Sequence, residues 1–204
     1  MAMEEKIDNL ENKEEKYTNS YLNTAWEWIK SILIAVALVV IIRSFLFTPT
    51  VVSGQSMEPS FFNTDKLIVN KILYSIREPE RGEVIIFEAN QEQDFIKRVI
   101  ALPGETVEVK GDQVFVNGEL LDEPYIQDEI DAAKKNGGTY NNLDFPEAIV
   151  PEGRLFVMGD NRPNSQDSRR IGFITYDQVI GRADLVFWPI QDIGLVSHEV
   201  GENK

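Results

Sequence analysis

Residues 94–101, with the sequence DFIKRVIA, predict a β-strand that carries two adjacent basic side chains. Successive side chains of a strand point to opposite faces. Lys97 therefore shares a face with three apolar side chains, those of Phe95, Val99 and Ala101. The other face also carries isoleucines, so the alternation alone does not decide whether Lys97 or Arg98 points inward. Burial of Lys97 would disfavour its charged form, and a neutral amine can accept a proton.

Other short apolar runs after Pro49 also predict strands, because turn residues bound them. They lie at residues 67–69, 83–87, 106–110, 114–116, 154–158 and 183–188. The dipeptide Asn117-Gly118 is typical of a tight turn between two strands. Helical periodicity is scarce here, and residues 127–148, which include Lys-Lys-Asn-Gly-Gly, predict a flexible surface insertion. We expect a mainly β fold class, with a β-rich domain at residues 49–195 and a short tail at 196–204.

The segment before this domain has the composition of a membrane anchor. Residues 31–42, SILIAVALVVII, contain no charge, and with their flanks at 26–47 they give 22 residues, or about 33 Å of helix. Basic residues near both ends can extend toward the headgroups, where tryptophans are also favoured. We predict a single transmembrane helix within an anchor at residues 23–48, preceded by a cytoplasmic tail at 1–22. A buried helix of a soluble domain is the alternative.

Composition excludes several classes of protein. The net charge is −14, with 34 acidic and 20 basic residues, which argues against nucleic acid as a partner. The chain has no cysteine and therefore no thiol nucleophile and no cysteine metal site. Its single histidine, His198, lies in the predicted tail, which disfavours a Ser-His-Asp triad and excludes a multi-histidine zinc site. We expect no metal and no cofactor, and a hydrolase of this composition would need a base other than histidine.

Two further segments contain residues suited to chemistry. Ser56 lies in SGQSMEPS at residues 53–60, where a nearby glycine would allow backbone N–H groups to converge on an oxyanion. An ordinary turn is the alternative for this segment. Residues 159–170, GDNRPNSQDSRR, follow an apolar run and form either an internally hydrogen-bonded support or an exposed loop.

Five short motifs of this chain match, in the same order, those of a known family. They are residues 56–60 (SMEPS), 81–87 (RGEVIIF), 97–105 (KRVIALPGE), 159–169 (GDNRPNSQDSR) and 181–183 (GRA). Each motif alone is weakly specific, whereas all five in order are very specific. The chain thereby resembles the type I signal peptidase family, from the anchor to about residue 189. The resemblance implies an N-terminal single transmembrane helix followed by an antiparallel β-sheet catalytic domain of the signal peptidase type.

The resemblance also implies roles for individual residues. Ser56 is the implied nucleophile and Lys97 the implied general base. Ser165 is the implied hydroxyl that orients the lysine. Asp167 and Arg169 are implied to form a structural pair that braces the site.

Two positions depart from patterns found within the family. Gly54 stands where some members carry a serine whose hydroxyl helps to hold the oxyanion, so the oxyanion hole would depend on backbone N–H groups, including that of Ser56. Pro163 stands where many members have aspartate. Lys97 itself, where the reticulum-type relatives have histidine, implies a bacterial or organelle-type enzyme.

The resemblance implies a membrane-bound serine endopeptidase that removes N-terminal signal peptides from exported preproteins after small-x-small sites. Its partners would be preprotein signal peptides and the lipid bilayer. It would lie in the plasma membrane with its catalytic domain on the extracytoplasmic side, an orientation that the positive charges favour only weakly. The alternative from another class is a membrane-tethered, non-catalytic β scaffold that binds exported chains. A self-cleaving Ser/Lys repressor is disfavoured, because the N-terminal segment is apolar where such a protein has a DNA-binding helix-turn-helix.

Overall fold

The computed structural model describes residues 26–40, 47–90 and 93–200. Contacts divide the chain into two units, Met1–Phe45 and Leu46–Lys204. In the first unit, residues 26–40 form helix α1. Among the described residues, no helix is both long enough and apolar enough to cross a bilayer. The predicted tail at 1–22 and parts of the predicted anchor at 23–48 lie outside the described residues, so the transmembrane helix stays a prediction.

The second unit is built mainly from short strands. In chain order they are β1 (Phe47–Val51), β2 (Lys66–Asn70), β3 (Val84–Asn90), β4 (Gln93–Ala101), β5 (Thr106–Lys110), β6 (Gln113–Val116), β7 (Glu119–Leu120), β8 (Phe145–Ile149), β9 (Arg154–Met158), β10 (Ile174–Thr175), β11 (Val179–Trp188) and β12 (Gly194–Leu195). Helix α2 (Gln127–Lys135) and helix α3 (Ser168–Ile171) complete this unit together with several 3-10 turns. The fold class is mainly β, as predicted.

The strands form two antiparallel sheets. The larger has eight strands in the spatial order β1-β2-β11-β3-β4-β9-β10, with β12 paired to β11. The smaller has the order β7-β6-β5-β8. Strands β3 and β4 are joined in register by pairs such as Ile85 with Lys97. On its other side, β4 pairs with β9 only from Arg98 onward, which leaves the edge of Gln93–Lys97 toward β9 outside that pairing.

Apolar packing fixes the segments that surround β4. Met57 and Phe61, just after Ser56, are 1% and 2% exposed and pack with β2, β3 and β11. A second cluster joins the end of β4 and β9 to the smaller sheet. The side chains of β4 are buried from Lys97 to Ala101, on both faces of the strand, because apolar clusters pack against it on each side. This double burial resolves the question that the alternation left open, since Lys97 and Arg98 both point inward, to opposite faces.

Residues 127–148, predicted as a flexible surface insertion, contain helix α2 and strand β8. The helix has acidic residues in its first turn and basic residues in its last, which suits its dipole, and it buries Ile130. Asn141 is 4% exposed, and its side-chain amide donates to the carbonyl oxygens of Gly111 and Leu143. These hydrogen bonds hold in place a segment that has few apolar residues.

The predicted tail at residues 196–204 is also packed where the structure describes it. Val196 is buried in the core of the larger sheet. The N–H of Val84 donates to Nδ1 of His198 at 3.2 Å. His198, in the predicted tail, is thus bonded to β3, while residues 201–204 lie outside the described residues.

Candidate active site

Ser56 lies in the connection between β1 and β2, which is held by its own buried residues and by hydrogen bonds from Asn161. Its neighbour Met57 is buried, and the N–H of Phe61 donates to the Met57 carbonyl at 2.9 Å. Asn161 supplies the contacts from across the site: its N–H donates to the Ser56 carbonyl at 3.1 Å and its amide to the Gln55 carbonyl at 2.9 Å. The segment that carries Ser56 is thus fixed by its backbone, while its side chain is partly exposed.

Lys97 projects from β4 to Ser56. Its Nζ atom lies 2.7 Å from Ser56 Oγ and 2.6 Å from the carbonyl oxygen of Ile96. The ring of Phe95 is 5.2 Å from the same nitrogen. Lys97 is 2% exposed, so water covers almost none of it. The structure therefore brings together the two residues that the sequence predicted as nucleophile and base.

Burial lowers the pKa of Lys97 to about 8, although the carboxylates of Asp167 and Asp160 act in the opposite direction. Desolvation prevails because each carboxylate is paired with an arginine of its own. A lysine with this pKa is partly neutral at mildly alkaline pH. The neutral amine has a lone pair and can accept the proton of the Ser56 hydroxyl.

Asp167 and Arg169 form a buried ion pair near Lys97 and Ser56, the two residues called the dyad below. Arg169 Nη2 and Nε donate to the Asp167 carboxylate at 2.8 Å each. Asp167 also accepts the N–H of Gly159 at 3.0 Å and the N–H of Arg169 at the start of α3. Burial raises the pKa of Asp167, but the hydrogen bond and charge of Arg169 outweigh it, so the net shift is downward. The Asp167 carboxylate is therefore charged at neutral pH, and its hydrogen bonds to Arg169 and Gly159 fix the loop after β9.

Ser165 is buried against the dyad segment without a bonded partner. Its Oγ atom has no hydrogen-bond partner of regular geometry within the described part of the chain, although the hydroxyl contributes to lowering the pKa of Asp167. A Cβ atom placed on Gly159 would lie 2.3 Å from Ser165 Oγ and 2.4 Å from the Ser56 carbonyl oxygen. The two groups therefore meet at Gly159, where only a glycine leaves room for both. The structure brings Ser165 to the site but does not bond it to Lys97.

Gly54 lies two residues before Ser56 in a conformation with φ +94°. This left-handed backbone favours glycine, and the Gly54 N–H donates to Asn63 Oδ1 at 3.0 Å. It has no side chain to offer to an oxyanion, and Ser53 beside it is exposed.

A groove of about 410 Å³ opens onto the dyad. One wall is formed by residues 50–56 and the other by Asp94, Phe95, Ile96 and Lys97. Leu67 and Ile86 lie in the lining, and Asn164 and Gln166 contribute to it from the loop after β9. Among the described residues, no group of three or more His, Asp or Glu side chains is placed to hold a metal ion.

The sequence profile of the family described as "Signal peptidase, peptidase S26" matches residues 25–188. The chain belongs to this family. A signal peptidase I of Bacillus amyloliquefaciens is 44% identical over 181 residues, which cover 88% of this chain and 93% of that protein. Signal peptidase I T of Bacillus subtilis is 42% identical over 192 residues, covering 93% and 97%. A crystal structure of a signal peptidase I from Enterococcus faecalis is 39% identical, covers 52% of this chain and 97% of that one, and has a TM-score of 0.45.

Sequence reasoning missed a second ion pair at the site of this S26 peptidase. Arg98, beside Lys97, donates from Nη2 and Nε to Asp160 at 2.7 and 3.1 Å, and both side chains are almost fully buried. Ser60 donates to the same carboxylate at 2.5 Å. The pair thus joins the segments that carry Ser56, Lys97 and Ser165. The sequence did contain a signal for this pair. Apolar residues flank Arg98 on both faces of β4, which favours burial of the arginine, and a buried charge needs a charged partner.

Proposed function

We propose that this signal peptidase is a serine endopeptidase in which Ser56 is the nucleophile and Lys97 the general base. The separation of 2.7 Å between Lys97 Nζ and Ser56 Oγ carries the proposal. Neutral Lys97 accepts the hydroxyl proton as Ser56 Oγ attacks the carbonyl carbon of the scissile peptide bond. The resulting ammonium gives this proton to the leaving amine, so the peptide bond breaks and an ester on Ser56 remains. Water, deprotonated by Lys97, then hydrolyses the ester.

The oxyanion formed by this attack needs donors that are already in place. The backbone around Ser56 is fixed by Asn161 and by the buried Met57, so its N–H group is held in a constant direction. A preorganised N–H costs no reorganisation when the charge develops. We assign the Ser56 N–H to this role, and Gly54 to keeping the approach to the oxyanion open.

The shape of the groove supports an extended substrate. The edge of Gln93–Lys97 that faces away from β3 is not taken by β9, and it lies beside the groove. An extended chain can add to such an edge through main-chain hydrogen bonds, as peptides do in strand-addition complexes. Side chains at the first and third positions before the cut would then point to the same face, toward the protein. This accounts for a requirement for small residues at both positions.

We propose that the substrates are preproteins that emerge from the bilayer, and that residues 23–48 anchor the enzyme there. Helix α1 supports this, since its many apolar side chains are exposed within its own unit. The N-terminus would then be cytoplasmic and the catalytic domain extracytoplasmic, where exported chains appear. Protease added to right-side-out vesicles should digest the catalytic domain, and protection of this domain would contradict the orientation.

The full chain, purified in detergent, tests the function. It should cut a preprotein with an Ala-x-Ala site directly after that site, as determined by mass spectrometry of the products. Ser56→Ala should fold with an unchanged melting temperature and show no cleavage, whereas the control Ser75→Ala, in a 3-10 turn, should cut normally. Normal cleavage by folded Ser56→Ala would contradict the assignment. Binding of preprotein without cleavage by the wild type would support the alternative of a membrane-tethered scaffold.

A further inference from the structure

The guanidinium of Arg98 uses all five of its N–H groups. Nε and Nη2 donate to the two oxygens of Asp160 at 3.1 and 2.7 Å. Nη1 donates to the carbonyl oxygens of Gly82 and Ser197 at 2.9 and 3.0 Å. The second N–H of Nη2 points to Ser60 Oγ, with 3.5 Å between the nitrogen and the oxygen. A guanidinium bonded in this way is fixed within its plane, so only its two faces are left for further contacts.

The ring of Tyr125 covers one of these faces. Its centroid lies 3.9 Å from the central carbon of the Arg98 guanidinium, which is the distance of a close stacked contact. Tyr125 belongs to a 3-10 turn, Pro124–Ile126, that leads into α2. Its next neighbour, Ile126, is 1% exposed and fixes the turn against the core.

The far end of Tyr125 is also held. Its hydroxyl donates to the carboxylate of Glu123 and accepts from Arg162 Nη2 at 3.3 Å. Glu123 and Arg162 are themselves paired through two hydrogen bonds and are 5% and 2% exposed. Burial raises the pKa of the Tyr125 hydroxyl, which stays protonated, although the residue as a whole is partly exposed. The ring is therefore fixed at its backbone and at its hydroxyl, in the one orientation that stacks on Arg98.

The amine of Lys97, the neighbour of Arg98 in the chain, is influenced by the charges of two carboxylates. The groups that face its amine are the Ser56 hydroxyl, the Ile96 carbonyl, the Phe95 ring and the carboxylates of Asp160 and Asp167. Both carboxylates favour the charged amine. Arg98 neutralises one of them, Asp160, through its two hydrogen bonds to that carboxylate.

We propose that Tyr125 is a positioning residue for the general base: its ring holds the Arg98 guanidinium flat against Asp160, and this keeps the Lys97 amine ready to accept a proton. The proposal rests on the proposed function of Ser56 and Lys97. Tyr125 belongs to the connection between β7 and β8, so this connection, which belongs to the smaller sheet, is coupled to the catalytic strand.

Removal of the ring has a defined consequence for the pH dependence of cleavage. Without the stacked face, the Arg98 guanidinium can tilt away, and the charge of Asp160 is less well neutralised. The charged form of Lys97 then persists to higher pH, so the acid limb of the activity profile moves upward. We expect a shift of about half a pH unit or more, which is about a threefold loss of rate on the acid side. KM should change little, because Tyr125 is not part of the groove lining.

The experiment compares the pH profiles of kcat for Tyr125→Leu, Tyr125→Phe and the wild-type full chain. Tyr125→Leu should show the shift, while Tyr125→Phe keeps the stacked ring and should have the wild-type limb. The control is Tyr176→Leu, because the Tyr176 hydroxyl also donates to a glutamate, Glu78, but its side chain packs against a different core cluster. The control should leave the limb unchanged.

Two results would overturn the proposal. One is a folded Tyr125→Leu that melts at a lower temperature but has an unchanged acid limb, since the tyrosine would then be only structural. The other is a Tyr125→Phe with the same shift as Tyr125→Leu, because the ring would then not be the cause. If Tyr125→Leu does not fold, Tyr125→Met fills the space with a flexible apolar chain and provides the same comparison. Ser56→Ala in the same assay separates this failure from that of the proposed function, since it must be inactive if the dyad is correct.

Discussion

The Nζ atom of Lys97 lies 2.7 Å from the Oγ atom of Ser56, although the two residues are 41 positions apart in the chain. The approach depends on β4, which points Lys97 inward, and on the buried residues Met57 and Phe61, which hold the Ser56 segment. A lysine in this position can replace the histidine of a serine protease only if it loses its proton near the working pH. Substitutions of Lys97 therefore test both the burial that lowers its pKa and its proposed action as a base.

Lys97→Arg should reduce kcat to background, a loss of at least about 100-fold, while the protein still folds. A guanidinium keeps the positive charge but does not give up its proton in the accessible pH range, so it cannot act as a base. The measurement is single-turnover cleavage of a preprotein. Lys110→Arg, at an exposed lysine of the smaller sheet, is the matched control and should keep full activity. Near wild-type turnover by Lys97→Arg would show that the lysine is structural.

The pH profile of kcat/KM should rise along an acid limb near pH 8. Burial lowers the pKa of Lys97 to about this value, and only the neutral amine is active. His198 cannot produce this limb, because burial and the charge of Arg182 lower its pKa to about 4. His198→Ala should therefore leave the position of the limb unchanged, even if its rate or stability falls. If the acid limb moves in His198→Ala, the titration belongs to His198 and its assignment to Lys97 is wrong.

Lys97→Met should stabilise the protein while abolishing activity. The folded-state pKa of Lys97, about 8, lies below its usual value of 10.5, so the unfolded chain binds more protons between these pH values. The stability of the wild type therefore rises with pH through this window and carries the full penalty below pH 8. Methionine removes the penalty, and we expect a gain of about 1–3 kcal/mol at pH 7, or roughly 3–9 °C in melting temperature.

The pH dependence of this gain is the sharper measurement. The difference in melting temperature between Lys97→Met and the wild type should be largest below pH 8 and should shrink as the pH approaches 10.5. Lys110→Met removes an exposed ammonium and should show no such trend. If Lys97→Met does not raise the melting temperature at any pH, the charge of Lys97 is fully compensated in the folded state, contrary to the lowered pKa.

The sequence predicted the strands of this domain better than it predicted the partners of their polar residues. Alternation and turn residues are local, and they located β4 and its neighbours. Arg98 finds Asp160 62 positions away, and nothing local in either segment specifies that pairing. The helix and the strand within residues 127–148 were not predicted, for a related reason. Their order depends on the buried side chain of Ile130 and on the hydrogen bonds of Asn141, and not on an apolar periodicity that the sequence displays.

Gly159→Ala should inactivate the enzyme through the backbone of Ser56, the proposed nucleophile. The added Cβ atom would lie 2.4 Å from the Ser56 carbonyl oxygen and 2.3 Å from Ser165 Oγ. The Ser165 hydroxyl can rotate away, but the Ser165 Cβ at 2.7 Å cannot. The Ser56 carbonyl is held by the N–H of Asn161, so the segment that carries Ser56 must move. A shift of about 1 Å at a reacting group costs on the order of 100-fold in rate, and the overpacking itself about 1–3 kcal/mol of stability.

The companion variant of this test is Gly138→Ala, at which the nearest atom to an added Cβ is the Ala133 carbonyl oxygen at 4.0 Å. It should keep both the rate and the melting temperature. Ser165→Ala combined with Gly159→Ala then shows which contact matters. If the double variant recovers most of the activity, the hydroxyl of Ser165 was the obstacle and Ser165 has no essential part in orienting Lys97. If it stays inactive while Ser165→Ala alone is active, the displaced Ser56 backbone is the cause. Wild-type activity in folded Gly159→Ala would show that this loop can move away from Ser56 without effect, which is incompatible with a preorganised site.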